Sequence, residues 1–263
     1  MTVVGIAMVR DEADIIAGTL RHMAGEVDQL LVADNGSTDG TRDILEGLVP
    51  DLPLIVLDDP DPGYYQSAKM TKLAGTARLL FEAAWIVPFD ADELWYSPAG
   101  RIADVLALSR RPYAVAELHN HLASALDEAG DDPFRTMVWR QPDPGPLPKV
   151  AVRWQDGAVI HQGNHGVTLP AGGPALEGAL AIRHFPVRSP QQLARKARNG
   201  AAAYAAAPDL PEHEGAHWRA WGQLHAQGGD DLLHEVFREH WWYLSPRDAG
   251  LVRDPAPYLR WEN

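Results

Sequence analysis

The chain of 263 residues is long enough for one large domain, or for one domain with an extension. It carries 36 acidic against 23 basic residues, a formal net charge of −13, which argues against a surface built to wrap duplex nucleic acid or lie on anionic lipid. Cysteine is absent, so disulfide frameworks, cysteine zinc sites, iron–sulfur clusters and thiol nucleophiles are excluded.

Residues 3–9 read as a short, β-branched, buried strand ended by Arg10 and Asp11. Asp11 is then expected to cap a helix in which Ile16, Leu20, Met23 and Val27 recur at helical spacing. A second strand over 29–33 runs into the turn residues Asp34-Asn35-Gly36-Ser37. A helix over 38–48 and a strand over 54–57 follow. Met70, Leu73, Ala77, Leu80 and Ala84 form one stripe of a helix over 66–84, and 85–89 is a fourth strand. This order predicts an α/β fold, Rossmann-like, with a mainly parallel central sheet, helices on both faces and ligands beyond the carboxyl ends of the strands.

The middle of the chain predicts a helix over 99–109, a strand over 113–119, a mobile loop over 127–148 rich in Asp, Pro and Gly, and short strands over 149–154, 158–161 and 180–185. Ser189-Pro190-Gln191-Gln192 is a capping box with proline at the first helical position, opening a helix to about residue 206. Pro208 and Pro211 break it, and 213–243 reads as helical, with Trp218, Trp221, Trp241 and Trp242. Core packing between helices is the favoured use of these tryptophans, with an acceptor-stacking platform or a homodimer surface as other uses. The expected division is 1–206 as the main domain and 207–263 as a C-terminal helical extension packed on it. The apolar start has no positively charged segment and Arg10 ends it at once. No run of about 18 apolar residues occurs, and a soluble, cytoplasmic protein is expected.

Two acidic groups fall at strand ends: Asp34 after the second strand and Asp90-Ala91-Asp92-Glu93 after the fourth. Paired carboxylates in that position make a hard-oxygen site suited to Mg²⁺ or Mn²⁺ completed by water and phosphate oxygens. A solvated acidic turn is the plain alternative for Asp90 and Asp92, a first-turn helix charge for Glu12 and an Asx-turn for Asp34.

Residues 5–45 (GIAMVRDEADII…LLVADNGSTDGT) and 85–95 (WIVPFDADELW) resemble family 2 glycosyltransferases of the GT-A fold. GNHGV at 163–167 and IRHFPVRSPQQLARKARNG at 182–200 resemble a bacterial branch of that family. Asp11 departs from the pattern, since many relatives carry asparagine before the glutamate. The resemblance implies a metal-dependent, inverting transfer of a hexosyl or pentosyl group from a nucleotide-diphosphate sugar to an acceptor hydroxyl. The acceptor classes left open are a saccharide, a lipid-linked glycan, a natural product or a modified nucleobase. It implies Asp92 as the direct metal ligand, His184 completing the metal shell, and Asp90 facing ribose or a metal-bound water. Asp34 would contact base or ribose, with Val9, Arg10 and Glu12 lining the same pocket.

The general base stays open between His165, Glu117 and Asp156. Arg183, Arg188, Arg195, Lys196 and Arg198 form a basic strip suited to the donor diphosphate or an anionic acceptor, and Arg188, just before a helix N-terminus, is the member favoured for the nucleotide-sugar site. His213-Glu214-Gly215-Ala216-His217 matches H-E-x-x-H, although Gly215 and the nearby prolines weaken a helical context. A zinc peptidase therefore stands as an alternative, as does a non-catalytic nucleotide-sugar- or carbohydrate-binding module.

Overall fold

The computed structural model of the protein describes residues 1–127, 130, 132–211 and 213–255. Strands β1 (Val3–Val9), β2 (Gln29–Asp34) and β3 (Leu54–Asp58) alternate with helices α1 (Ile16–Glu26) and α2 (Thr41–Leu48), and α3 (Gln66–Phe81) leads into β4 (Trp85–Pro88). All seven are elements that the hydrophobic pattern predicts. β1 pairs with β2 and β4, and β2 with β3, each in parallel. A parallel strand is covered on both faces, which explains the uninterrupted apolar run of β1. Val3, Ala7 and Val9 share a core with Leu20 and Met23 of α1 and Leu45 of α2, whereas Val4 and Ile6 meet Met70, Leu73 and Ala77 of α3.

Beyond β4 come β5 (Glu93–Tyr96), α4 (Ile102–Leu108), β6 (Tyr113–Asn120), β7 (Ala123–Ser124), α5 (Pro133–Thr136), β8 (Trp139–Arg140), β9 (Lys149–Arg153), β10 (Val159–Ile160), β11 (Val167–Thr168) and β12 (Leu176–His184). The eight-stranded sheet has the order β3-β2-β1-β4-β9-β6-β12-β5. β9 enters antiparallel between β4 and β6, and β5 closes the edge antiparallel to β12. β6 and β12 are parallel, so the sheet is mainly parallel and the expected α/β class is observed.

The stretch over 127–148 is not simply a loop. Its acidic and proline residues act as local caps: Asp132 accepts a hydrogen bond from the Phe134 amide, Pro133 opens α5, and Phe134 and Trp139 are buried. Residues 128, 129 and 131 of that stretch lie outside the described residues. Asp11 is likewise not a helix cap. It takes a left-handed φ of 55°, and α1 starts five residues later.

α6 (Pro190–Ala205) begins as its capping box predicts, with the Ser189 hydroxyl accepting from the Gln192 amide at 3.1 Å. α7 (Ala216–His240) packs along α6, with Gly222 against Ala201 and Gly200 beneath Trp218. Trp218 and Trp221 meet edge to face at 5.3 Å, and Trp221 meets Trp241 at 6.5 Å, so three of the four tryptophans pack among themselves at the helix contact. β13 (Trp242–Tyr243) pairs with β7 and β14 (Val252–Arg253) with β8, returning the C-terminal segment to the 123–140 region. The last eight positions of the expected extension, 256–263, lie outside the described residues. Among the described residues no helix is long and apolar enough to cross a membrane.

Candidate active site

Asp90 and Asp92 stand just beyond the carboxyl end of β4, and they sit in different surroundings. Asp90 is half-buried. One of its oxygens receives Lys149 Nζ at 2.5 Å, and the other receives Asn164 Nδ2 at 3.2 Å and Gln66 Nε2 at 3.4 Å. Lys149 is the first residue of β9 and pairs with Ala116, which places its side chain at the mouth of the sheet. Its Nζ also lies 3.0 Å from Glu93 Oε1. The other Glu93 oxygen accepts from the Asp90 amide at 3.1 Å and from Trp95 Nε1 at 3.0 Å. Burial, helped by the charges of Asp90 and Asp92, pushes the Glu93 carboxyl up to about 7, against the pull of Lys149. Burial works against the Lys149 ammonium, yet Asp90 and Glu93 hold it above the ordinary lysine range.

Asp92 is almost fully buried, and its Oδ2 accepts from Lys196 Nζ at 2.6 Å, with Arg188 Nη1 at 3.8 Å. Burial alone would raise its carboxyl, but Lys196, His184 and Arg188 hold it well below the usual carboxylate range. His184 Nε2 faces Asp92 Oδ1 at 3.6 Å. Asn120 orients the ring: its Nδ2 donates to Gln141 Oε1 at 3.2 Å, and in this amide orientation its Oδ1 lies 2.7 Å from His184 Nδ1 as an acceptor. With the proton on Nδ1 and burial lowering the imidazole to about 4, Nε2 presents a lone pair toward the Asp92 carboxylate. A carboxylate oxygen and an imidazole nitrogen converging in this way fit a divalent cation, and the Asn120 hydrogen bond is the support such a histidine ligand requires. Among the described residues no group of three or more His, Asp or Glu is placed to hold a metal, so water and phosphate oxygens would complete the shell.

The loops after β1 and β2 form the adjoining wall. Val9, the buried last residue of β1, pairs with Asp34, the last residue of β2. Asp34 Oδ1 is engaged in its own turn, accepting from the amide and hydroxyl of Ser37. Arg10 Nε is buried, with no hydrogen-bond partner among the described residues. Asp11 bridges two elements, accepting from the Thr38 amide and from Asn199 Nδ2 of α6, each at 2.6 Å. Arg188 is absorbed by carboxylates: Nη2 lies 2.5 Å from Glu12 Oε2 and Nε 2.7 Å from Asp14 Oδ2, while Nη1 donates to the Phe185 carbonyl. Arg195 adds a contact to Asp14 at 2.9 Å. Burial raises the Glu12 carboxyl despite Arg188 and Lys196.

Of the three base candidates, the structure brings only His165 to this region. Its Nδ1 donates to the Pro148 carbonyl at 2.9 Å, leaving Nε2 as the acceptor, and burial together with nearby Lys149 lowers it so that it is neutral near pH 7. Glu117 pairs with Ala181 where Asn120 pairs with His184, an odd offset that sends its side chain to the opposite, exposed face. Asp156 follows β9, whose Arg153 pairs with Trp85 at the start of β4, so it lies at the far end of the sheet.

The H-E-x-x-H match is not on one helix. Gly215 takes a left-handed φ of 67° as the residue before α7, and a side chain there would strike the Tyr204 ring. His213 and Glu214 thus precede the helix, while His217 packs beside Trp218.

Lys149, Asn120, Asn164 and Gln66 are site residues that the sequence pattern did not single out. The one available signal is a lysine opening a strand whose middle, residues 150–152, is apolar, a placement that favours a mouth over a core.

No protein-family model and no curated protein matches the sequence. Among solved structures, the chain is similar to S. aureus TarS 1–349 in complex with UDP-GlcNAc, with 14% identity over 88% of this chain and 74% of that one, at a TM-score of 0.40. A second S. aureus TarS structure aligns at 20% identity and TM-score 0.33 over 49% of this chain, and the match spans only 23% of that longer protein. Rv0371c from Mycobacterium tuberculosis H37Rv aligns at 15% identity and TM-score 0.31 over 45% of this chain and 66% of that one.

Proposed function

We propose that this protein is a metal-dependent, inverting glycosyltransferase of the GT-A, family 2 type, moving a hexosyl or pentosyl group from a nucleotide-diphosphate sugar to an acceptor hydroxyl. The observation that carries this reading is the convergence of Asp92 and the His184 lone pair beyond β4, beside Lys149 and Lys196. Asp92 and His184 would hold Mn²⁺ or Mg²⁺, and an ion bound there neutralises charge on the departing diphosphate. Asp90, with one oxygen tied to Lys149, faces ribose or a metal-bound water. Val9, Arg10 and Asp34 line the nucleoside end, where the unpartnered Arg10 Nε is an available donor. Arg188 holds Glu12 and Asp14 and so shapes this pocket from beneath Asp92.

In the transfer, the acceptor oxygen bonds to the anomeric carbon as the bond from that carbon to the diphosphate oxygen breaks, and its electron pair leaves with the diphosphate. Attack opposite the leaving group inverts the anomeric centre. The acceptor proton goes to a base, a role that the neutral His165 with its free Nε2 supports best. Saccharide, lipid-linked glycan, natural-product and modified-nucleobase hydroxyls are the acceptor classes of this reading, which also takes the cytoplasm as the compartment.

The test is a thermal-shift screen of nucleotide diphosphates and sugar nucleotides, with UDP and UDP-GlcNAc as first probes, with and without Mn²⁺. A nucleotide stabilisation that grows with Mn²⁺ is expected, and no response to any nucleotide contradicts the proposal.

A further inference from the structure

The mouth of the sheet holds charge in near balance. Lys149, Lys196, Arg188 and Arg195 face Asp90, Asp92, Glu93, Glu12 and Asp14, with every one of these side chains in an ion pair. Two of the cations reach the same atom: Lys196 Nζ at 2.6 Å and Arg188 Nη1 at 3.8 Å from Asp92 Oδ2. Arg188 is fixed there by Glu12, Asp14 and the Phe185 carbonyl. Among the described residues, Lys196 has only Asp92 and the Pro186 carbonyl, at 3.2 Å, as hydrogen-bond acceptors. Its helix is tied to Asp11 on both sides of Lys196, Arg195 Nε donating to the Asp11 carbonyl and Asn199 Nδ2 to the Asp11 carboxylate.

An ammonium hydrogen-bonded to a buried carboxylate repels a divalent ion approaching the same carboxylate, and low exposure leaves that repulsion weakly screened. We infer that Lys196 and the divalent cation are alternative partners of Asp92, so that Lys196 sets the metal affinity of the site and, once displaced, is free to meet a donor phosphate. The inference rests on the metal reading given under Proposed function. It makes metal and diphosphate binding mutually reinforcing: each helps to move Lys196 off Asp92 or to receive it, and such coupling is reciprocal.

The experiment is a titration of the full chain with Mn²⁺, followed by electron paramagnetic resonance, with and without UDP. Wild type is expected to bind Mn²⁺ weakly alone and more tightly with UDP. Lys196→Met should bind Mn²⁺ about tenfold or more tightly without UDP, with much of the UDP enhancement lost. Lys196→Arg, which keeps the charge, should resemble wild type. Lys196→Gln should behave as Lys196→Met and keeps the test open if the Met variant does not fold. Unchanged or weaker Mn²⁺ binding in folded Lys196→Met or Lys196→Gln overturns the inference. Asp92→Asn separates the two levels: Mn²⁺ binding that survives this change removes the metal reading itself. Loss of binding in Asp92→Asn with no gain at position 196 removes only the role of Lys196.

Discussion

The parallel half-sheet β3-β2-β1-β4 and the mixed half-sheet β9-β6-β12-β5 meet between β4 and β9, and apart from the Glu93 carboxyl of β5 they contribute largely opposite kinds of group. The parallel half offers carboxylates at strand ends or on the turns that follow them: Glu12, Asp34, Asp90 and Asp92. The mixed half, with α6, offers Lys149, Asn120, His184, Arg188 and Lys196. Either set alone would be a charged turn or a basic strip. Together they form an almost neutral, partly buried polar mouth inside a chain whose net charge is −13. Overall acidity therefore says little about the charge of the site.

The sharpest way to break this pairing is at Lys149, which is buried between Asp90 and Glu93. Lys149→Met leaves both carboxylates without their cation and is expected to cost about 3–5 kcal/mol in urea unfolding. A loss below about 1 kcal/mol would mean that the two halves are not joined by this ion pair.

Replacing His165 by alanine is expected to lower transfer on the order of a hundredfold while leaving the unfolding midpoint close to wild type. Unaltered turnover would take the base away from the mouth. At the α6–α7 contact, Gly200→Val pushes against Trp218 and should cost about 1–3 kcal/mol. A neutral result would show that α7 sits loosely on the helix that carries Lys196.

The pH dependence probes the boundary from another side. Glu93 titrates near 7 in the fold against an ordinary 4.5, so the native state holds a proton that the unfolded chain has already released between those values. That group makes stability fall as pH rises from about 4.5 to 7. His184 and His121, both lowered to about 4 by burial, act in the opposite direction between about 4 and 6.5, where the unfolded chain takes up protons that the native state refuses. The wild-type Tm minus the Glu93→Gln Tm should therefore decline through pH 4.5–7. A constant difference would contradict the buried, proton-holding carboxyl. The smallest effects belong to Glu117→Gln and Asp156→Asn, away from the mouth. Each should change stability by no more than about 0.5 kcal/mol and leave turnover unaltered.

The parallel half was legible because its signals are local. Each strand is an apolar run followed by its own amphipathic helix, and Asp34, Asp90 and Asp92 stand next to strand ends that the pattern marks. The mixed half depends on pairings distant in sequence. Nothing near Lys149 announces that β9 will enter between β4 and β6 and bring its ammonium to Asp90, 59 positions earlier. Arg188 carries a local signal, its place before a helix, but no local signal predicts its pairing with Glu12 and Asp14, more than 170 positions away. The proline- and aspartate-rich stretch before β9 looked mobile because capping residues and loop residues are the same types.

Metal-dependent sugar transfer through Asp92 is the function proposed for the mouth. The most direct measurement is release of nucleotide diphosphate from a panel of sugar nucleotides, by wild type and by Asp92→Asn, in Mn²⁺ and in EDTA. Turnover by wild type that is lost in EDTA, restored by Mn²⁺ and absent from a folded Asp92→Asn is the predicted result. Full turnover in EDTA, or in Asp92→Asn, would contradict it.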